Sequence, residues 1–368
     1  MRSAWAVPPR GHRGMLWMAG LLVTVGVVGC AGPTAPRASS PAGGRSAAAR
    51  WSRVAGSGSL NVTALTEGPH GTIYVGTANW GVLAYSRGRW RTLGAEALPA
   101  SRATRSLTRT GASTLLAGTS QGVLAYDGAK WTELSGPTPA GLPVALAYGD
   151  IPVYSVVAVM SPHGHITVGG YPPGNVSVNS ASDGLGGVWQ FLHGAWVPLG
   201  HLGHTPTSLL YAPSGMLVVG THQGVWAYTH ADGWQALGSF QTPGVVVTAL
   251  ALSAGGHILA GVQEFSATVS RLYEYEDGYW INRSSGWTQL PETPVIQALA
   301  VNHTTGVIVV GTASAGVWTL NGSRWSRAGP AQSAMNTTTI QALVVTPAGV
   351  VFAGTPNGLW RLTGAGPS

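Results

Sequence analysis

A chain of 368 residues can bury a substantial core, and 45% hydrophobic with only 8% charged residues excludes the low-hydrophobicity, high-charge composition of disordered chains. A single cysteine excludes any intrachain disulfide, and the formal charge of +7 comes with no nucleic-acid-binding motif, so no nucleic acid is expected as a partner. The 54 glycines suit short strands joined by tight turns.

The first element in chain order is an export signal, residues 1–29. Arg2, Arg10 and Arg13 form its positive start, and Met15 to Gly29 is an apolar run of 15 residues, too short and glycine-rich for a lasting membrane span. It ends in Val27-Val28-Gly29-Cys30, which resembles the lipobox of bacterial lipoproteins. That resemblance implies lipidation of Cys30, with the mature protein anchored to the cell membrane on its outer side. Residues 30–49, rich in Ala, Pro, Gly and Ser, have no periodicity and read as a flexible tether.

From residue 50 to 368 the chain repeats itself. A Gly-Thr or similar pair closes a β-rich run at Gly76, Gly118, Gly169, Gly220, Gly261, Gly311 and Gly354, at intervals of 41 to 51 residues. A second strand then leaves a glycine and leads to a tryptophan nine residues on: Gly81 and Trp90, Gly122 and Trp131, Gly187 and Trp196, Gly278 and Trp287, Gly316 and Trp325; from Gly224 to Trp234 the interval is ten. Near copies of an inner strand stand at Val62-Thr63-Ala64-Leu65, Val247-Thr248-Ala249-Leu250, Ile296-Gln297-Ala298-Leu299 and Ile340-Gln341-Ala342-Leu343. Four short antiparallel strands per unit predict an all-β, seven-bladed β-propeller. The seventh unit lacks its outer strand, and Arg50-Trp51-Ser52-Arg53 matches Arg324-Trp325-Ser326-Arg327 of the sixth. The N-terminal strand is therefore expected to complete the last blade. The recurrence of tryptophan at one position points to packing between blades rather than to a carbohydrate platform.

The pattern of Gly311-Thr312 with Gly316-Val317-Trp318, and of Gly354-Thr355 with Gly358-Leu359-Trp360, resembles bacterial YVTN/BNR-like or regulator-type propellers. The resemblance covers residues 50–363 and implies fold more than activity, because such propellers serve as sensors, assembly factors, adhesins and enzymes. The turn before each tryptophan is similar to an Asp-box whose aspartate is kept only at Asp127 and Asp232, which does not favour sialidase chemistry.

Function is sought where units differ. Residues 170–186 and 262–277 enlarge units three and five after the Gly-Thr strand, and the second reads as a strand extension or hairpin. With the connection 135–154 they predict a binding rim over blades three to five, with Tyr171, Asn175, Asp183, His222, Glu264, Phe265, Tyr273, Glu274 and Glu276 as candidate residues. Its expected partner is a protein or cell-envelope polymer. Glu264, Glu274, Glu276 and Asp277 are a third of the 12 acidic residues, and read as a solvated loop rather than a catalytic pair. His201, His204 and His222 are too ordinary a grouping to predict a metal. No catalytic residues and no cofactor are expected. Arg50, Arg53, Arg89, Arg91, Arg324 and Arg327 fall on outer strands of blades six, seven and one, a basic edge beside the tether. The sequence thus points to an anchored, extracytoplasmic binding or assembly module. The alternatives are an enzyme acting on an extracellular glycan or polymer, and an extracytoplasmic ligand sensor.

Overall fold

The computed structural model describes residues 49–364 apart from 95–102, 112–113, 120–121, 135–156, 162–163, 171–186, 194, 201, 203, 239–243, 265–268, 288–293 and 331. Cys30, residues 1–29 predicted as an export signal, and almost all of the predicted tether lie outside the described residues. The regular structure of the described residues is all strand apart from short 3-10 turns at Pro69–Gly71 and Ala334–Thr337, and no described helix is long and apolar enough to cross a membrane.

Seven four-stranded antiparallel sheets form a ring, a β-propeller. Blade 1 runs through Val62–Glu67, Ile73–Thr77, Val82–Ser86 and Arg89–Thr92, from the inner strand outward. Blades 2 to 6 repeat this order over residues 104–133, 157–198, 206–236, 245–282 and 296–327. Blade 7 takes Ala342–Val345, Val351–Thr355 and Gly358–Thr363 from the C-terminal end and Arg50–Arg53 from the other, in the register Arg50 opposite Thr363 and Arg53 opposite Trp360. The expected closure of the ring is present.

Packing explains why the repeat is needed. The second strand is buried along all five residues in blades 1, 2, 4, 6 and 7, because neighbouring blades cover both of its faces. The buried apolar residues fall into seven clusters, and each joins two adjacent blades. One of them closes the ring, with Val62, Ile73 and Val75 of blade 1 against Phe352 and Leu359 of blade 7. The stabilising core therefore lies between blades, and a lone blade would expose it.

The Gly-Thr signature has two jobs. The threonine hydroxyl donates across the turn, as Thr77 Oγ1 does to the Gly81 carbonyl at 2.9 Å and Thr355 Oγ1 to that of Gly358 at 2.9 Å. The glycine leaves room for the next blade: a Cβ on Gly354 would fall 2.5 Å from Val62 Cγ1. That contact is incompatible with any side chain.

The outer tryptophans latch neighbouring blades. Trp51, Trp90, Trp131, Trp234, Trp280 and Trp325 each donate their indole N–H to a main-chain carbonyl just past the preceding blade's outer strand, respectively Ala328, Ala55, Leu93, Leu199, Leu237 and Arg283, at 2.5–2.9 Å. Within blades 1, 2, 4 and 5 the indole also packs on the tyrosine opposite it, with ring centroids 5.0 Å apart.

One expectation is corrected here. In blade 5 the latch is Trp280, on the outer strand Tyr279–Asn282, and not Trp287. Gly278 belongs to the tight turn between third and fourth strands, where Asp277 and Gly278 both have positive φ (51° and 88°), so nine residues beyond it the chain has already left the outer strand. Trp287 is instead buried and stacked flat on Trp325, centroids 4.5 Å apart.

Candidate functional site

The strand order gives the disc two unlike faces. Inner strands begin, and second-to-third turns lie, on one face; first-to-second and third-to-fourth turns lie on the other. The first is the mouth face, since the central channel opens there.

Inner strands carry a β-bulge at one recurring position. The ladder slips between Val62 and Ala64, Thr104 and Ser106, Pro206 and Ser208, Val247 and Ala249, and Ile296 and Ala298. The skipped residues are Thr63, Arg105, Thr207, Thr248 and Gln297. A bulge re-aims one side chain, and all five line the channel mouth together with Gln341 of blade 7. The threonines knit the wall as well as line it: Thr63 Oγ1 donates to the Thr104 carbonyl and Thr207 Oγ1 to that of Val247, each 2.5 Å away in the next blade.

The resulting cavity has a volume of about 500 Å³. Threonine, glutamine and the imidazole of His222 dominate its wall, and Arg105 is its one formally charged described residue. Arg105 is exposed and makes no ion pair among the described residues. Gln341 Oε1 is shielded from solvent and has no hydrogen-bond partner among the described residues, which leaves an unsatisfied acceptor in the wall of the mouth. His222 sits in the second-to-third turn of blade 4. The walls around its imidazole hold its pKa below the ordinary 6.5, although part of the ring still meets solvent. It is neutral near pH 7. Trp80, in the corresponding turn of blade 1, is 56% exposed on the same face.

The predicted rim residues divide. Tyr171, Asn175, Asp183 and Phe265 lie outside the described residues, as do His201 and the connection 135–154. His222 and Glu264 are on the mouth face, and His222 lines the cavity. The enlarged unit five is indeed a strand extension: Ile258–Glu264 and Val269–Glu276 pair from Ile258 opposite Tyr275 to Glu264 opposite Val269. Tyr273 reaches back along it to donate to Glu264 Oε1 at 3.1 Å, beside Arg271 at 3.4 Å from the same oxygen. Burial, reinforced by the Glu264 charge, pushes the Tyr273 phenol up to about 12.

Glu274 and Glu276 do not join Glu264. Glu276 ends the strand at the far-face turn, seven residues from the partner of Glu264, or about 23 Å at 3.3 Å per residue. Glu274 is buried between His257 Nδ1 at 3.4 Å and Arg283 Nε at 3.5 Å. Arg283 continues to the Gly322 carbonyl of blade 6 at 3.0 Å, so this carboxylate helps tie two blades together. Strand alternation and the length of the hairpin separate residues that are close in sequence. His204 packs on Trp226 at 5.1 Å between ring centroids, and among the described residues no three His, Cys, Asp or Glu side chains converge as metal ligands would.

No protein-family model matches the chain, and no curated protein matches it in sequence. In structure it is similar to the extracellular domain of a protein from B. thetaiotaomicron described as a hybrid two component system, at 15% identity and TM-score 0.61, covering 84% of this chain and 39% of that one. This chain therefore spans about two fifths of that domain's length. It is also similar to a streptogramin B lyase, at 10% identity and TM-score 0.63 over 86% of this chain and 98% of that one. A catalytically inactive virginiamycin B lyase from Staphylococcus aureus, solved with quinupristin, matches at 9% identity and TM-score 0.62, with the same coverage. A WD40 propeller domain of Doa1 matches at 12% identity and TM-score 0.56, over 85% of this chain and 96% of that one. An extracellular domain of a two component system, lyases and a WD40 domain share little beyond architecture at such identities, and what these likenesses establish is that the chain folds as a β-propeller.

Proposed function

We propose that this protein is an exported, lipid-anchored binding module that takes a polar, anion-bearing ligand at the mouth of its channel. The observation that carries the reading is the ring of bulged side chains, one from each of five blades, that gives a 500 Å³ cavity one arginine and no described carboxylate. A cation flanked by hydroxyl and amide groups suits a carboxylate or phosphate carrying its own hydrogen-bond donors. The ligand belongs to a protein or cell-envelope polymer outside the cytoplasm, and Cys30 supplies the anchor. Photocrosslinking in intact cells tests it: a photoreactive residue at Gln297 should capture a species that one at Gln235, exposed on an outer strand, does not. Capture should disappear with Arg105→Gln. Equal capture from both positions, or capture indifferent to Arg105, defeats the reading. The anchor is tested separately, since labelled palmitate should enter the wild type and not Cys30→Ser.

An enzyme acting on a glycan is less well supported by geometry. Paired carboxylates work at roughly 5–10 Å from each other, whereas Glu264 and Glu276 lie at opposite ends of a hairpin. The sensor reading shares the channel mouth and differs only in what the occupied state reports to. A transmembrane signalling protein crosslinked to the outside of the ring would favour it.

A further inference from the structure

Charge is distributed very unevenly around the ring. The described residues of blades 6, 7 and 1 carry eight arginines (50, 53, 87, 89, 91, 324, 327 and 361) and one carboxylate, Glu67. Blade 5 next to them holds Glu264, Glu274, Glu276 and Asp277 against Arg271. The arginines are not equivalent. Arg327 lies 4.5 Å over the Trp318 ring and donates to the Ala315 and Asn336 carbonyls, and Arg361 lies 5.8 Å from Phe352, so both are engaged in packing.

Four others share one place. Arg50, Arg89 and Arg324 are the first residues of the outer strands of three consecutive blades, and outer strands begin at the far face. Arg87 is in the third-to-fourth turn of blade 1, on that same face. All four are exposed, and none makes an ion pair among the described residues. Arg87 even occupies a left-handed turn slot (φ 50°) that blade 5 fills with Asp277 (φ 51°), a residue better suited to it. Glu67, the carboxylate nearest in sequence position, also ends its strand on the far face. Burial raises its pKa, an effect partly offset by Arg109, and as a single carboxylate it faces four arginines.

Topology also fixes where the anchor arrives. The chain enters the ring at Arg50, on the far face, and 19 residues separate Arg50 from Cys30. At up to about 3.5 Å for each of the 20 steps from Cys30 to Arg50 they allow a separation no greater than about 70 Å, so a lipid at Cys30 keeps the patch within reach of the bilayer. We propose that the far-face arginines of blades 6, 7 and 1 dock on the anionic surface of a lipid bilayer, turning the channel mouth away from the membrane. Arginines near such a surface are each attracted to it, and tethering by Cys30 converts that attraction into an intramolecular contact. The docking goes beyond the ligand reading and does not depend on it; only the role of the tether rests on the anchor at Cys30.

The test is co-sedimentation of the full chain with vesicles of phosphatidylcholine alone or mixed with phosphatidylglycerol. The ratio of the two partition coefficients is the readout, because the apolar segment before Cys30 contributes to both. The wild type should prefer anionic vesicles, and added salt should remove the preference. The quadruple variant Arg50→Gln, Arg87→Gln, Arg89→Gln, Arg324→Gln should lose it by at least about tenfold. Arg105→Gln, on the mouth face, should keep it, and circular dichroism verifies that each variant is folded. Equal partition of the wild type to both vesicles overturns the proposal, as does a quadruple variant that still prefers anionic ones. So does capture by soluble polyglutamate without capture by vesicles, which would make the occupant an acidic polymer.

Discussion

The outside and the inside of the ring follow opposite rules. At the outer strands six blades use the same tryptophan, bonded in the same way to the preceding blade. At the inner strands the bulged position is equally regular in backbone, and threonine holds it in blades 1, 4 and 5, two of them bonded to the next blade, whereas blades 2 and 6 depart from that with Arg105 and Gln297. A feature kept in every unit belongs to what every unit must do, which is to hold its neighbour. A position whose geometry repeats while its chemistry varies is free to serve something outside the fold. Variation around the channel therefore locates function better than the tryptophans do.

The largest expected effect lies in the latch. Trp131 is 6% exposed, donates to the Leu93 carbonyl at 2.7 Å and packs on Tyr126. Trp131→Ala should cost about 3–5 kcal/mol in urea unfolding, the range for emptying a buried aromatic site. Trp80→Ala removes the same side chain from a 56% exposed position and should change stability by less than about 0.5 kcal/mol. Similar costs at both sites would erase the distinction between holding and presenting residues.

Next comes the glycine that follows the latched carbonyl. Gly94 has a φ of +64°, and a Cβ there would fall 2.3 Å from Trp131 Cδ1. Gly88 has a φ of +78° with nothing within 4 Å of the same hypothetical atom. Gly88→Ala should cost about 1–2 kcal/mol from backbone strain alone. Gly94→Ala should add to that strain the displacement of an indole, about 1–3 kcal/mol more. If the two variants unfold at the same urea concentration, the tryptophan edge is not held as tightly as the hydrogen bonds imply.

These features explain what could be read in advance. Seven units, four strands each, and closure by the segment around Trp51 were legible because each repeats a residue type at a fixed spacing. The latch in blade 5 was misread because Gly278 marks a different turn from Gly81 or Gly316, and a spacing carries no information about which turn it spans. A better signal was present in the pairs Ala55-Gly56, Leu93-Gly94, Leu199-Gly200, Leu237-Gly238 and Ala328-Gly329, the carbonyl and glycine that receive five of the six indoles. The channel mouth was missed for another reason. Attention to insertions favours loops, whereas Arg105 and Gln297 sit inside strands, where only a bulge turns them toward the channel. Glu264 and Glu276 are close in sequence, but pairing along a long hairpin put them at opposite ends.

Substitutions at the mouth should separate binding from stability. Arg105→Gln removes an exposed charge with no ion-pair partner among the described residues, so its unfolding midpoint should stay within about 0.5 kcal/mol of wild type. Crosslinking from Gln297 should nonetheless be lost. A destabilised Arg105→Gln would instead make the arginine a structural residue and return the mouth to the same class as the latch.

The smallest effect is also the most specific. The His222 pKa in the folded protein lies below its ordinary 6.5, so between those two values the unfolded chain binds more protons than the folded one. Stability from this residue is complete above 6.5 and declines as pH falls toward the folded value. Lowering the pH from about 7.5 to about 5 should therefore cost the wild type slightly more than His222→Gln, when unfolding is measured at both. Part of the ring meets solvent, so the difference will be modest. A bound anion should change the sign: a negative group in the mouth favours the protonated imidazole, and a ligand captured there should bind more tightly at the lower pH. If acid weakens binding in the wild type but not in His222→Gln, while Arg105 is still required, protonating His222 disrupts a hydrogen bond that the neutral ring makes to the ligand. The imidazole would then act as an acceptor beside a cation rather than as a second cation, and the ligand would have to offer it a donor.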